Sequence, residues 1–162
     1  MLRWLDAFSL DSPERRVLRS ARLQRFVLSV HERAFKTLLP QLPPIHRVTI
    51  VGGGLYPRSA LILRRLLPDA TVTIVDAKPE HLEIASTFLP RNIEVEHRFF
   101  DAAVPEPADL LVIPLAFIGD RDRVYRHPAA KVALVHDWMW RRRGRGARVS
   151  WLLLKRLNLV TR

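Results

Sequence analysis

A short apolar run that ends in three consecutive glycines is the strongest indication of the fold of this chain. The run VTIV occupies residues 48–51, and Gly52, Gly53 and Gly54 follow it directly. Glycine lets the backbone turn sharply and approach a ligand closely, because no Cβ intervenes. A segment with leucines on one side, residues 59–67, comes next. A strand, a glycine turn and a helix in this order indicate an α/β fold.

Strands and helices continue to alternate after the glycine turn. Further strands are predicted at residues 71–75, 93–99, 110–113 and 131–135, and further helices at residues 79–88 and 119–126. This alternation implies right-handed crossovers and a mostly parallel sheet. We therefore expect an α/β fold, Rossmann-like and doubly wound, with an N-terminal helical extension. The tail at residues 149–159 fits either a helix or a last strand.

The N-terminal part has helical rather than strand periodicity. Ser12 followed by Pro13 is typical of a helix start, and one amphipathic helix is predicted to run on until near Pro40. Its apolar stripe consists of Leu23, Phe26, Val27, Val30 and Ala34. We expect this stripe to pack on the chain's own sheet or across a homodimer.

Asp76 closes the second predicted strand, 24 residues after Gly52. A carboxylate at this place can accept hydrogen bonds from both ribose hydroxyls of a nucleotide-like ligand. The alternative is that Asp76 caps the helix that Pro79 opens. A dinucleotide site requires a further glycine where this chain has Pro57, whose ring and missing N–H hinder the approach of a pyrophosphate. NAD is therefore disfavoured, whereas S-adenosylmethionine carries no phosphate.

The third predicted strand ends at Phe99, and Phe100 and Asp101 follow it. An acceptor here could bind an adenine amino group while an aromatic ring covers the base. Parallel α/β sheets bind ligands beyond the carboxyl ends of their strands, so these residues and Asp76 should lie at one edge.

With these pieces in place, residues 46–138 resemble the class I S-adenosylmethionine-dependent methyltransferases. The matching stretches are VTIVGGG at 48–54, VTIVD at 72–76, FD at 100–101 and DLLVIPL at 109–115. The resemblance implies an S-adenosylmethionine-binding domain at residues 45–162, after a helical extension at residues 1–44.

The resemblance also implies which residues hold the cofactor. The cofactor-binding residues would be Gly52, Gly53, Gly54, Asp76, Ala77, Phe100, Asp101, Pro114 and Leu115. The glycines would line the methionine and ribose, Asp76 would hold the ribose, and Pro114 and Leu115 would lie near the reacting methyl. Many members carry an acidic residue two positions before the first glycine, where this chain has Ile50. Recognition of the methionine amino group must then come from elsewhere.

The glycine turn, GGGLYPRS at residues 52–59, also resembles that of nicotianamine synthases. Those enzymes use the same cofactor and transfer an aminopropyl group instead of a methyl group. Aminopropyl transfer is therefore a minor alternative.

Candidate catalytic residues follow the fifth predicted strand. His136 could act as a base, with Asp137 beside it, and Trp138 could hold a flat or cationic acceptor. The alternative is a turn in which Asp137 caps the next element and Trp138 fills the core. Tyr56, within the glycine turn, is a second candidate.

Positive charge is concentrated near the end of the chain. The formal net charge is +11, and residues 121–162 alone carry +10. The densest stretch runs from Arg141 to Arg148 and could bind RNA, DNA or an anionic lipid surface, or steer an anionic or small-molecule acceptor. The alternative is a solvated loop.

Composition excludes several other kinds of site. The chain has no cysteine, which rules out disulfides, zinc–thiolate sites and cysteine nucleophiles, and no metal site is predicted. This absence fits a reducing cytoplasm, the location we expect. Residues 110–119 form the longest apolar run, about half of what a bilayer crossing requires.

Three hypotheses follow. The first is an S-adenosylmethionine-dependent transferase, most simply a methyltransferase acting on an unidentified acceptor. The second is a cofactor-binding domain without catalysis, because Ile50 breaks a common motif. The third is an adaptor that binds nucleic acid or another anionic partner through its basic surface.

Overall fold

The computed structural model describes residues 11–52 and 54–162, with side chains from residue 14 onward. The strands of this part are β1 (Arg47–Val51), β2 (Thr71–Asp76), β3 (Ile93–His97), β4 (Leu110–Ile113), β5 (Val132–Trp138), β6 (Gly146–Ser150) and β7 (Lys155–Thr161). The helices are α1 (Asp11–Leu18), α2 (Ala21–Leu38), α3 (Arg58–Leu66), α4 (Pro79–Ser86) and α5 (Arg121–Arg126), and a 3-10 turn, Leu39–Gln41, follows α2.

The strands form one sheet in the order β3-β2-β1-β4-β5-β7-β6. Strands β1 to β5 pair in parallel, whereas β7 is antiparallel to both β5 and β6. This arrangement confirms the predicted mostly parallel, Rossmann-like sheet. The strand order reverses between β1 and β4, and such a switch point is where open α/β sheets bind ligands. We call the carboxyl ends of the parallel strands β1 to β5 the ligand edge.

The tail of the chain is a β-hairpin and contains no helix. Strand β7 inserts between β5 and β6, and Leu157 on β7 is fully buried opposite His136. Pairing with β7 continues to Trp138, which lies opposite Lys155. The prediction that the fifth strand ends at Val135 was therefore wrong, because the antiparallel partner holds three further residues in the sheet.

The N-terminal region contains two helices instead of the single helix predicted. The chain breaks at Ser20, whose Oγ accepts a hydrogen bond from the Leu23 N–H at 3.3 Å and so caps α2. Leu23 and Phe26 are 42% and 37% exposed, and the buried face lies further along α2. The buried residues of α2 are Val27, His31, Ala34, Phe35 and Leu38. This face packs on α3 and on β6 and β7 of the chain's own sheet.

The sheet separates two apolar clusters. Ile50 and Leu134 belong to the cluster under α2 and α3. Their neighbours Val51 and Val135 belong to the cluster on the opposite face, next to α5. Successive residues of a strand point to opposite faces, so each strand end at the ligand edge presents side chains to both sides.

Candidate functional site

The glycine turn lies between the ends of β2 and β4. Gly52 and Gly54 have φ values of +61° and +62°, a region that non-glycine residues rarely adopt. The N–H of Gly52 donates to the carbonyl of Val75 on β2 at 2.6 Å. A Cβ on Gly52 would lie 3.5 Å from Cγ of Pro114 and 3.9 Å from Oδ2 of Asp76. Three predicted cofactor residues are thus adjacent; Gly53 lies outside the described residues.

Glu14, on α1, brings a carboxylate to this turn. Its Oε2 accepts a hydrogen bond from the Leu55 N–H at 2.7 Å, and its Oε1 accepts one from Nη2 of Arg58 at 3.2 Å. The carboxylate lies so close to Gly54 that a Cβ there would be 2.7 Å from Oε2. Glu14 could not be predicted from the sequence, because it precedes the turn by about forty positions and belongs to no motif.

Asp76, at the end of β2, is 9% exposed. Its Oδ1 accepts a hydrogen bond from the Lys78 N–H at 2.9 Å, which fixes the chain entering α4. Its Oδ2 lies 3.5 Å from Nδ1 of His81 and faces the Cβ position of Gly52. One carboxylate oxygen therefore supports the turn before α4, and the other faces the glycine turn.

The residues predicted around the adenine lie further along the ligand edge. Ala77 is exposed, and its carbonyl lies 3.2 Å from Nε2 of His97. Asp101 is exposed, and its Oδ1 accepts from the Ala103 N–H at 2.8 Å. Phe100 is buried in the core, whereas Phe99 is 73% exposed. The freely presented ring at this place is thus Phe99.

Arg121 organises the end of β4. Its guanidinium donates to the carbonyls of Pro114 at 2.9 Å, Leu115 at 3.0 Å and His136 at 3.0 Å. These bonds connect α5 to the ends of β4 and β5. The positions of Pro114 and Leu115 therefore depend on a residue that the sequence analysis did not identify.

A pocket of about 60 Å³ opens at the ligand edge under the glycine turn. Its lining residues are Glu14, His31, Ile50, Gly52, Gly54, Pro57, Arg58, Ser59, Ala60, Val112, Pro114, Leu115, Ala116, His136 and Lys155. Five of the predicted site residues therefore share this pocket. The remaining described ones, Tyr56, Asp76, Ala77, Phe100, Asp101 and Asp137, lie outside its lining.

His136 and Asp137 do not act as a pair, because they project from opposite faces of β5. His136 packs against His31 and Phe35 on the α2 side, with ring centroids 5.5 and 6.0 Å away. Asp137 points to the α5 side, where Oδ2 accepts from the Tyr125 hydroxyl at 2.8 Å. Asp137 is 1% exposed.

Asp137 belongs to a buried network on the α5 side. Its Oδ1 accepts from the Trp138 N–H at 2.9 Å. The Tyr125 hydroxyl accepts from Nδ2 of Asn158 at 2.8 Å, and Oδ1 of Asn158 accepts from Nε of Arg156 at 2.5 Å. Burial raises the pKa of Tyr125 to about 12, so its hydroxyl stays a donor to Asp137. This network fastens β7 to β5 and α5.

His136 lies at the inner end of the pocket, which we define as His31, Ser59, His136 and Lys155. Its Nε2 is 3.4 Å from Oγ of Ser59. Burial, together with the positive charges of Arg58, Lys155 and Arg121, lowers the pKa of His136 to about 3. His136 is therefore neutral at neutral pH.

His31 and Lys155 are two further pocket residues that sequence reasoning missed. Burial lowers the pKa of His31 well below its usual value and that of Lys155 to about 8. His31 lies in the predicted amphipathic helix, among residues expected only to pack. Lys155 lies in the tail, whose sequence fitted either a helix or a strand. The only available signal was a histidine at a buried helical position, which is more often structural than functional.

Tyr56 is packed into the protein interior. It is 3% exposed and meets Phe88 edge-to-face with ring centroids 5.3 Å apart. Burial raises the pKa of its hydroxyl. The ring therefore packs against the segment that follows α4, outside the pocket lining.

The arginine-rich segment, residues 141–148, joins β5 to β6 and includes the first residues of β6. Arg143 pairs with Asp122 at 3.0 Å and lies over the Tyr125 ring, and Arg148 lies over the Trp151 ring at 4.9 Å. Trp138 is half-buried and stacks on Trp140 with centroids 5.4 Å apart. In the described part of the chain, no helix has the length and apolarity needed to cross a membrane.

Neither a family model nor a curated protein matches the chain, but solved structures do. A variant of MtNAS, a nicotianamine synthase, in complex with S-adenosylmethionine is 17% identical, with a TM-score of 0.65 over 91% of this chain and 65% of that chain. The plantazolicin methyltransferase BpumL in complex with S-adenosylhomocysteine is 18% identical, with a TM-score of 0.53 over 78% of this chain and 51% of that chain.

A third solved structure, the mitomycin 7-O-methyltransferase MmcR, is 21% identical, with a TM-score of 0.50 over 74% of this chain and 37% of that chain. This chain thus spans between 37% and 65% of the lengths of the three proteins. The chain has the Rossmann-like fold of the class I S-adenosylmethionine-dependent methyltransferases.

Proposed function

We propose that this protein binds S-adenosylmethionine at the ligand edge and transfers its methyl group to an acceptor. The observation that carries the proposal is the position of Gly52 between Asp76 and Pro114, with a Cβ position only 3.9 and 3.5 Å from them. This arrangement occurs in a fold whose solved representatives include complexes with S-adenosylmethionine and S-adenosylhomocysteine.

The cofactor's adenosine would extend from Gly52 along the ends of β2 and β3. Oδ2 of Asp76 would accept from the ribose hydroxyls, next to Ala77. Asp101 would accept a hydrogen bond from the adenine amino group, and Phe99 or Phe100 would cover the base. The amide N–H groups at the start of α3 and the glycine turn would face the methionine carboxylate.

Glu14 would supply the carboxylate that many members of the methyltransferase family carry at the position of Ile50. A carboxylate near the glycine turn attracts the amino group of the methionine moiety, and Glu14 lines the pocket beside Gly54. Its present partners, the Leu55 N–H and Arg58, hold it in place there.

Methyl transfer requires little covalent catalysis by the protein. The sulfonium is already activated, so most of the acceleration comes from holding the acceptor in line with the methyl group. Pro114 and Leu115 would form the wall next to that group, fixed by Arg121. His136 lines the same pocket and would contact the acceptor, whereas Asp137 faces away and would support β5.

Calorimetric titration with S-adenosylmethionine and S-adenosylhomocysteine tests the proposal, with NAD as control. We expect both adenosyl compounds to bind and NAD not to bind, because Pro57 stands where a dinucleotide turn needs glycine. Absence of adenosyl binding up to millimolar concentrations would contradict the proposal. Binding without turnover on any acceptor would instead support the non-catalytic alternative.

Aminopropyl transfer is the second chemistry to test, because the likeness to MtNAS covers 91% of this chain, and the bound molecules in one such structure include MTA. The two reactions break different bonds of the sulfonium. Methyl transfer leaves S-adenosylhomocysteine, whereas aminopropyl transfer leaves methylthioadenosine. Chromatography of the adenosyl product after incubation with mixed acceptors would distinguish them, and we expect S-adenosylhomocysteine.

A second candidate function concerns the surface at the β6–β7 turn. Trp151 is 65% exposed and Leu152 80%, and Trp140 and Leu154 are also exposed. We call these four residues the hairpin wedge. The arginine-rich segment lies next to it. Apolar side chains bordered by arginines suit an anionic lipid surface better than nucleic acid, which offers no apolar phase for leucine.

Vesicle sedimentation would test this second function. We expect binding to phosphatidylcholine vesicles containing phosphatidylglycerol, release by high salt, and loss of binding in Trp151→Ser with Leu152→Ser. Leu23→Ser, at a 42% exposed position on α2, is the matched control. Equal binding to pure phosphatidylcholine would contradict it, as would RNA binding that the wedge substitutions leave unchanged.

A further inference from the structure

His31, which lines the pocket, carries a buried proton acceptor. Its Nδ1 lies 2.7 Å from the carbonyl of Val27 one turn earlier on α2. A carbonyl only accepts, so Nδ1 carries the proton and, in a neutral ring, Nε2 carries the lone pair. Nε2 is buried and has no hydrogen-bond partner among the described residues, although His31 lines the pocket. Buried polar atoms are normally paired, so this one calls for a donor on a ligand.

Among the described residues, the same end of the pocket carries one positive charge, Lys155, without a salt-bridge partner. Arg58 is neutralised by Glu14, its salt-bridge partner at 3.2 Å. Lys155 faces Arg58 on α3, Glu14 on α1 and the neutral histidines on α2 and β5.

We propose that the inner end of the pocket binds the acceptor substrate as a small carboxylate that bears a hydroxyl or amino group beside it. Lys155 holds the carboxylate. Nε2 of His31 accepts the hydrogen bond of the neighbouring O–H or N–H, and Ser59 and His136 complete the contact. This assignment rests on the proposed function, because it places the acceptor next to the wall formed by Pro114 and Leu115.

Size and charge both restrict the ligand class. The pocket volume of about 60 Å³ suits a compact head group, and any larger part of the acceptor would extend out along the ligand edge. A dianion such as phosphate would leave one charge uncompensated, whereas a monocarboxylate matches the charge of Lys155. A carboxylate without the neighbouring donor would leave Nε2 of His31 unpaired, which lowers affinity.

Three small probes test the assignment on the intact chain: L-lactate, propionate, which lacks the hydroxyl, and isopropanol, which lacks the carboxylate. NMR titration would give their affinities, and the Nε2 nitrogen shift of His31 would report the hydrogen bond directly. We expect lactate to bind about tenfold more tightly than propionate, and isopropanol not to bind. Equal affinity for lactate and propionate, or no binding of lactate, would overturn the proposal.

Substitutions of His31 and Lys155 test which residue contacts the hydroxyl and which contacts the carboxylate. His31→Leu should bind lactate and propionate alike, while His127→Leu, at an exposed histidine, keeps the preference. Lys155→Met should lose both carboxylates, while Lys131→Met, at an exposed lysine, keeps them. Lactate affinity should also fall above pH 8, because Lys155 then loses its charge while both histidines remain neutral. Unchanged lactate binding in Lys155→Met would overturn the proposal.

Competition with S-adenosylhomocysteine separates an acceptor site from a site for the cofactor's own carboxylate. We expect lactate and S-adenosylhomocysteine to bind together. Displacement of lactate would show that the cofactor's own tail occupies Lys155 and would overturn the acceptor assignment. Because lactate binding is measured without cofactor, failure of S-adenosylhomocysteine to bind would count against the proposed function alone.

Discussion

The carboxylate of Glu14 accepts a hydrogen bond from the backbone N–H of Leu55 at 2.7 Å. This contact connects α1 to the glycine turn across forty-one positions of sequence. The turn is thus closed on one side by β2 and β4 and on the other by an acidic side chain from the N-terminal region. An acid at this place offers the charge that the strand before the turn lacks.

Replacing Glu14 with Gln should weaken S-adenosylmethionine binding about tenfold. Gln keeps an oxygen for the Leu55 N–H but loses the charge that attracts the ammonium group, and hydrogen bonds to charged groups contribute about 1.5–3 kcal/mol. Calorimetry measures the change, and Glu80→Gln, at an exposed position, is the matched control. Unchanged affinity would show that Glu14 only supports the turn.

Gly54→Ala should destabilise the protein more than Gly52→Ala. Both positions have positive φ, which costs an alanine about 1–2 kcal/mol. Only at Gly54 would the new Cβ also overlap a side chain, 2.7 Å from Oε2 of Glu14. Urea unfolding of both single variants measures the difference.

The overlap can be isolated by a double substitution. Glu14→Ala combined with Gly54→Ala should cost less than the sum of the two single changes, because the first removes the atoms that the new Cβ meets. Strict additivity would indicate that the two residues are not in contact in solution.

Stability should fall as the pH drops below about 6.5. His136 has a pKa of about 3 in the folded chain, so the unfolded chain binds an extra proton between these values. The contribution is fully present above pH 6.5 and amounts to a loss of about 2 kcal/mol at pH 5. Urea unfolding at pH 7.5 and pH 5 measures the slope.

Substitutions of the two buried histidines test whether these residues cause the pH dependence of stability. His136→Leu should flatten it, and His31→Leu should do so as well, because burial also lowers the pKa of His31. His127→Leu, at an exposed position, should leave it unchanged. An identical slope in His136→Leu and the wild type would mean that this ring is not buried in the folded protein.

Tyr125→Phe should destabilise the fold without changing cofactor affinity. The hydroxyl donates to Asp137 and accepts from Asn158, so its loss removes one hydrogen bond from each, at about 0.5–1.5 kcal/mol per bond, while Asp137 keeps the Trp138 N–H and Asn158 keeps the Arg141 carbonyl. Thermal unfolding and calorimetry with S-adenosylhomocysteine measure the two effects separately. A large loss of affinity at unchanged stability would instead place Asp137 in the binding site.

The parallel part of the sheet could be predicted because β1, β2, β4 and β5 are compact runs of apolar and β-branched residues, whereas β3, IEVEH, alternates apolar and polar residues. The hairpin could not, since Trp151 and Leu152 continue the apolar pattern through the turn between β6 and β7. Pairing with β7 also extends β5 to Trp138. His136 and Asp137 therefore belong to the strand, and successive residues of a strand point to opposite faces. The expected catalytic pair assumed that the strand ends at Val135, and pairing with the distant β7 moves that end to Trp138.

Some of the residues that line the pocket could be predicted from the sequence, and others could not. Gly52, Gly54 and Pro114 follow strands directly, and the switch-point rule brings them together. Glu14, His31 and Lys155 come from helices and a strand distant in sequence and share no local pattern with the glycine turn. Only the packing of α1, α2 and β7 around the turn reveals them.

The most direct test of the account is calorimetric titration of S-adenosylhomocysteine into the wild type, Asp76→Ala and Asp69→Ala. Asp69 is exposed and outside the pocket, which makes it the matched control. We expect the wild type and Asp69→Ala to bind equally, and Asp76→Ala to bind about a hundredfold more weakly, because two ribose hydroxyls lose a charged acceptor. Equal binding by Asp76→Ala and the wild type, or no binding by any of the three, would contradict the proposed binding of the cofactor at Asp76.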